Sequence, residues 1–187
     1  MKTEIEKREP KGLADIISLS VTTFGVGYLP LAPGTWGSAA GVAVYTAFAW
    51  LDLRWEQHWA PLIQLTPELA QAASIAVILT IFLLFTLLGV WASNRSTGLL
   101  GNTDPPEAVV DEVIGQLITF LFVPFGITWP LIITGFLLFR LFDIWKPYPI
   151  DSLQVLPGGI GICADDILAG IYAGICLSAV YAASLWI

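Results

Sequence analysis

Residues 72–92, AASIAVILTIFLLFTLLGVWA, are 21 consecutive positions with neither a charge nor a proline. A helix of that length rises about 30 Å, the thickness of a bilayer hydrocarbon core. The stretch therefore reads as a transmembrane helix, and the composition of the whole chain agrees. Of 187 residues, 56% are apolar or aromatic and only 12% are charged, about half the charged share of an ordinary soluble chain. A mean hydropathy of +0.77 excludes a disordered chain, and a pI near 4.4 excludes a nucleic-acid binder, which needs a basic face. The two cysteines, Cys163 and Cys176, are too few for a disulfide framework or a cysteine-based zinc site. One feature resists the membrane reading: 15 acids against 8 bases leave a net charge of −7, and lipid tolerates carboxylates badly.

Outward from residues 72–92 the chain divides into apolar runs and polar connections. Residues 1–12 form a polar tail that reads as water-exposed rather than as a signal peptide, because no short apolar core and small-residue cleavage site follow it. A mildly amphipathic run (13–28) and a turn-rich Pro/Gly segment (29–38) lead into an apolar stretch, Ala39 to Leu51. A mixed connection covers 52–71. Beyond the transmembrane stretch, a polar loop over 93–107 precedes a run that opens at Val109 and is interrupted by Pro124 and Pro130. The piece from Val113 to Pro124 is about 18 Å of helix, too short to span, so a hairpin or re-entrant pair is expected. A second polar loop, 151–164, leads to a last apolar run, Ile167 to Ile187. The expected fold is all-α: an integral membrane helical bundle with short, proline-broken or re-entrant helices, with 1–12 as the tail and 13–187 as one membrane-embedded domain. Four of the eight basic residues lie in the tail, which the positive-inside rule places in the cytoplasm. With the proline-broken run as a hairpin, Asp104, Asp111, Glu112, Asp143, Asp165 and Asp166 all fall on that same side.

Two segments resemble one another: Val110-Asp111-Glu112-Val113-Ile114-Gly115 and Ala164-Asp165-Asp166-Ile167-Leu168-Ala169-Gly170. Each puts adjacent carboxylates at the mouth of an apolar helix. Helix capping is one explanation, since an acid there complements the dipole by about 0.3–1 kcal/mol, but one cap needs one carboxylate. Between the pairs lies Arg140-Leu141-Phe142-Asp143-Ile144-Trp145-Lys146, whose helical spacing puts Arg140, Asp143 and Lys146 on one face. That face suits either an interfacial salt bridge or a metal-phosphate site, in which the acid holds a cation and the bases neutralise phosphate oxygens. Five carboxylates converging from three helix ends need a cation, and an oxygen-only donor set selects Mg2+, Mn2+ or Ca2+. The Gly-Gly-x-Gly at 158–161 suits a phosphate-approaching loop or a flexible turn equally. Missing motifs narrow the chemistry further. No Cys-x5-Arg loop, histidine pair, Asp-x-Asp-x-Thr/Val or Walker loop is present, which leaves metal-assisted chemistry carried by carboxylates.

The segments at 27–38 (GYLPLAPGTWGS), 110–115, 139–149 (FRLFDIWKPYP) and 158–170 resemble, in order, the signature blocks of the phosphatidylglycerophosphatase A family. The resemblance implies an all-helical, Mg2+-dependent membrane phosphatase of the bacterial cytoplasmic membrane. Its substrate would be phosphatidylglycerophosphate and its product phosphatidylglycerol. Carried over residue by residue, it implies Asp111, Glu112, Asp143, Asp165 and Asp166 as metal or catalytic acids, and Arg140 and Lys146 as phosphate binders. Thr35 and Ser38 are further phosphate contacts, with turn stabilisation as their other reading, and Asp104 is a further metal ligand. The expected mechanism is in-line attack by water assisted by one or two Mg2+ ions, with an aspartyl nucleophile as the variant. The rival from another class is a cation transporter or channel, which would distribute its acids in depth along a path. The charge favours a site: residues 1–103 carry seven acids and six bases, whereas 104–187 carry eight acids and two.

Overall fold

The stretch 72–92 is the middle of a much longer helix. In the computed structural model, which describes residues 4–186, the helices are α1 (Leu13–Thr23), α2 (Pro33–Arg54), the single turn α3 (Ala60–Leu62), α4 (Pro67–Leu100), α5 (Val110–Phe120), α6 (Trp129–Trp145) and α7 (Gly158–Ser184). Short 3-10 or π turns occur at Val26–Tyr28, Trp55–Trp59 and Asp151–Val155. Among the described residues no strand forms beyond one isolated bridge, Glu4 with Asn102. Thr66 caps α4 by accepting the Leu69 amide at 3.4 Å, Pro67 occupies its first turn, and Gly101 ends it at φ 81°. Two helices, α4 and α7, are long and apolar enough to cross a membrane. Only 6% of the most apolar 18 residues of α4 is buried against the rest of the protein.

The core forms around α5 instead. Val110, Val113, Ile114, Phe120 and nearly every other residue of this helix is buried, with α7, α2, α6 and α4 packed about it. Small residues allow that crowding. A Cβ on Gly37 would lie 2.8 Å from Val109 Cβ, one on Gly41 2.9 Å from Gln116 Cβ, and one on Gly115 2.5 Å from the Asp166 carbonyl oxygen. The chain then turns inside the bundle: Tyr45 of α2 donates its hydroxyl hydrogen to the Gly126 carbonyl at 2.9 Å and stacks on Phe120 at 4.3 Å between centroids. Tyr45 is twelve residues into α2, about 18 Å along it, so the α5–α6 connection stays within the depth of α2. This is the expected hairpin of a short and a longer helix.

Three expected connections are helical. α2 begins at Pro33, so Gly34 to Ser38 belong to a 22-residue helix rather than to a turn; proline suits a first turn, and the glycines sit where α5 leaves no room for side chains. α4 continues through Asn94 and Arg95 to Leu100 because its last turns pack on α1, where Ser96 and Thr22 share a hydroxyl hydrogen bond of 3.0 Å. α7 begins at Gly158, with Gly159 against the Val90 carbonyl.

The tail is also not free. Ile5 and Arg8 donate their amides to the carbonyls of Gly101 and Gly98, laying the tail along the end of α4. Asp15, wholly buried, accepts two bonds from Arg8 at 2.7 and 2.9 Å, one from Arg95 at 2.7 Å and the Lys11 amide at 2.7 Å. The Arg8 guanidinium above all, then the Lys11 amide and Arg95, hold the Asp15 carboxyl well below the usual carboxylate range. A depressed folded-state pKa stabilises above the unfolded value, about 3.9, and that stabilisation is lost as pH falls below it. Asp15→Asn should therefore melt below the parent protein at pH 7, and the gap should close on acidification below about pH 4. A gap that does not change with pH would rule out the ionic latch.

Candidate active site

Four helices bring their chemistry to one end of the bundle: the start of α2, the start of α5, the end of α6 and the third turn of α7. Asp111 and Glu112 are the second and third residues of α5. Asp165 and Asp166 are the eighth and ninth of α7, beyond the first turn in which a dipole or cap interaction acts, so capping does not account for them. Asp111, Glu112 and Asp166 each offer a carboxylate oxygen, and the three lie within 4.8 Å of one another. Asp111 Oδ1, Glu112 Oε2 and Asp165 Oδ1 are buried with no hydrogen-bond partner in the protein. Buried anionic oxygens without partners are costly, whereas a hard cation with oxygen ligands at about 2.0–2.6 Å satisfies them. The donor set therefore fits Mg2+ or a cation of its kind.

A row of bases runs beside the acids. Arg140 pairs with Asp143 at 2.5 Å and reaches the Ser38 hydroxyl at 3.4 Å. Lys146 joins three carboxylates: Asp165 at 2.5 Å, Asp143 at 3.5 Å and Asp166 at 3.7 Å. It can do so because it ends α6 in the left-handed region, φ 45°, which swings its side chain toward α7 before Pro147 prevents further helix. Burial by itself would lower the Lys146 pKa, but Asp166, Asp165 and Asp143 overcome that and hold it above its ordinary range, so it stays charged. Gly34 brings the α2 backbone into contact with the same group: a Cβ there would meet the Glu112 carboxylate and lie 3.1 Å from Arg140 Nη1.

The structure thus gathers Asp111, Glu112, Asp143, Asp165, Asp166, Arg140, Lys146 and Ser38. Thr35 stands exposed in the first turn of α2, whereas Ser38 is buried and meets Arg140. Asp104 lies half-buried in the connection from α4 to α5, its amide donating to Asn102 Oδ1 at 3.0 Å, and is not one of the three clustered carboxylates. Sequence reasoning passed over Gln116, a wholly buried amide one helical turn beyond Glu112; a side-chain amide inside the otherwise mostly apolar run 113–123 was the available signal. It also passed over Gly115 and Gly170, where α5 and α7 cross.

Comparison with known proteins agrees with this geometry. The family described as Phosphatidylglycerophosphatase A matches residues 19–181. A Haemophilus influenzae protein named phosphatidylglycerophosphatase A is 32% identical over 179 residues, 95% of this chain and 96% of that protein. The Escherichia coli protein of the same name is 33% identical over 149 residues, 79% of this chain and 73% of its own. A Bacteroides thetaiotaomicron protein named "Putative phosphatidylinositol-3-phosphatase" is 37% identical over 158 residues, 84% of this chain and 88% of that protein. No solved structure matches. The matched span contains all four helix ends that build the carboxylate and base cluster, and the chain belongs to the phosphatidylglycerophosphatase A family of phosphatases.

Proposed function

We propose that this chain is a multi-pass enzyme of the bacterial cytoplasmic membrane that hydrolyses the terminal phosphomonoester of phosphatidylglycerophosphate to give phosphatidylglycerol, with Mg2+ as cofactor and its site on the cytoplasmic side. One observation carries the reading: unpartnered buried carboxylate oxygens stand beside Arg140 and Lys146 at one end of a bundle with membrane-length helices. The names of the Haemophilus and Escherichia relatives supply the substrate. Exposed Ile75, Val77, Leu79, Leu83, Leu84 and Leu87 on α4 supply the membrane, since a water-soluble protein rarely leaves so large an apolar face uncovered. The basic tail, docked at the site end of α4, supports the cytoplasmic side.

Asp111, Glu112 and Asp166 would hold the cation. When bound, it would supply Lewis-acid polarisation of the phosphoryl oxygens and activation of the attacking water. Arg140 and Lys146 bind the phosphate and stabilise the charge that builds on its oxygens, with Asp143 and Asp165 keeping them in place before substrate arrives. In hydrolysis the ester P–O bond breaks, the oxygen of water joins phosphorus, and the departing glycerol oxygen takes up a proton. The acids gather at one end instead of following a path in depth, which favours this chemistry over ion transport.

A second reading rests on the Bacteroides relative, whose name specifies a phosphoinositide 3-phosphate. Purified protein in detergent, given phosphatidylglycerophosphate or phosphatidylinositol 3-phosphate with Mg2+ or with EDTA, separates the two. The expected result is phosphate release from phosphatidylglycerophosphate that EDTA abolishes. Faster release from the phosphoinositide selects the second reading, and no release from either lipid overturns both.

A further inference from the structure

Gln116 is wholly buried, and neither its amide nitrogen nor its amide oxygen has a partner in the protein. Leaving such a group unsatisfied is destabilising, and an apolar residue of the same shape would avoid that cost. Its place on α5 says what it serves. Glu112 precedes it by four residues and so shares its helical face, and helical side chains lean toward the N-terminus, which here is the carboxylate end. Opposite that face α2 presents glycines: a Cβ on Gly41 would lie 2.9 Å from Gln116 Cβ, and one on Gly37 would lie 3.2 Å from Glu112 Cβ. The nearby Ser38 hydroxyl is already engaged, donating to the Gly34 carbonyl at 2.9 Å and accepting Arg140 at 3.4 Å. Glu112 Oε2, on the same face, is likewise unpartnered among the described residues.

We propose that Gln116 is a positioning residue of the phosphatase site: with Glu112 it holds one buried water, and that water orients the Glu112 carboxylate for the cation. The Gln116 Nε2–H donates to the water, and the water donates to Glu112 Oε2 and to Gln116 Oε1. A buried water needs two to four polar partners, and these three atoms provide them. The inference rests on the phosphatase reading for its purpose but is measurable without turnover. Groups that orient metal ligands in this way typically change metal affinity by about 10–100-fold.

The test is Mn2+ binding to the purified full chain, followed by electron paramagnetic resonance, in the parent protein and in Gln116→Leu, Gln116→Met and Gln116→Asn, alongside melting temperatures without metal. The two apolar variants should melt at or above the parent temperature and bind Mn2+ about tenfold more weakly, and Gln116→Asn should recover part of the loss. In the phosphatase assay the half-saturating Mg2+ concentration should rise by the same factor, with kcat at saturating Mg2+ within severalfold of the parent. Should Gln116→Leu fail to fold, Gln116→Met supplies the same reading. Mn2+ affinity within twofold of the parent in a folded apolar variant overturns the proposal. Inactivity of the parent toward lipid phosphates, with Mn2+ binding still dependent on Gln116, overturns only the phosphatase reading.

Discussion

Asp166→Asn is expected to cut phosphate release at saturating Mg2+ by about 10^3-fold while raising the melting temperature in the absence of divalent cations. The two effects have one origin. Asp166 is buried on α7, and its carboxylate faces Asp111 and Glu112 within 4.8 Å, with Asp165 beside it in sequence and Lys146 as a basic neighbour at 3.7 Å. Without a cation, this crowding of anions in a poorly solvated site opposes folding. The amide keeps the shape and removes one charge, and each kcal/mol of repulsion relieved raises the melting temperature of a domain this size by about 3 °C. On the proposed reading the same change would remove one of the anionic groups that would hold the cation, and with it part of the polarisation the cation would supply to the phosphoryl group. Calorimetry with EDTA and with Mg2+ reads both effects: the variant should be the more stable protein in EDTA and should gain less from Mg2+. Activity within tenfold of the parent would remove Asp166 from the ligand set, and a lower melting temperature in EDTA would make it a structural acid.

Gly170→Ala should cost about 2–3 kcal/mol and lower the rate by about 100-fold, although residue 170 is a full turn from the nearest clustered acid, Asp166. A Cβ there would run into the Gly115 carbonyl oxygen, with Gly115 C at 3.0 Å and Cα at 3.1 Å. These are backbone atoms and no rotamer change moves them, so α5 and α7 must separate. The Thr119 hydroxyl, which reaches the carbonyls of Gly115 at 3.1 Å and Gly170 at 3.4 Å, would lose one of its two acceptors. Separation carries Asp111 and Glu112 away from Asp166, and a displacement of about 1 Å is enough to disable a positioned site. Thermal melts and steady-state kinetics check this, with Gly126→Ala as the control, because a Cβ at Gly126 would have no atom within 4 Å. Equal stability and rate in Gly170→Ala and the parent would show that the helices do not depend on this close crossing.

Much of the site was legible before the fold was known. The pairs Asp111-Glu112 and Asp165-Asp166 stood out because paired acids are rare in apolar runs, and the Arg140, Asp143, Lys146 face followed from helical spacing alone. Less legible were the ends of helices. Prolines and glycines at 29–38 and 157–161 signal turns by local propensity. Here Pro33 and Gly158 instead start helices, because burial against α5 and α4 outweighs the propensity cost of the glycines within them, about 1 kcal/mol each. Arg95 reads as loop in the sequence for a similar reason. Its charge ends the apolar run, but Asp15 accepts it at 2.7 Å and the helix continues beneath.

Hydropathy and spacing are properties of neighbours along the chain, and they decided that this protein is helical, apolar enough for a membrane and charged at one group of acids. Which acids meet could not follow from them. Asp111, Glu112 and Asp166 share a space because glycines at 37, 41, 115 and 170 let three helices approach to backbone distance, and the same approach leaves Gln116 without a partner. Convergence depends on contacts between residues far apart along the chain, 55 positions for Asp111 with Asp166 and 102 for Ser38 with Arg140, and packing alone chooses those.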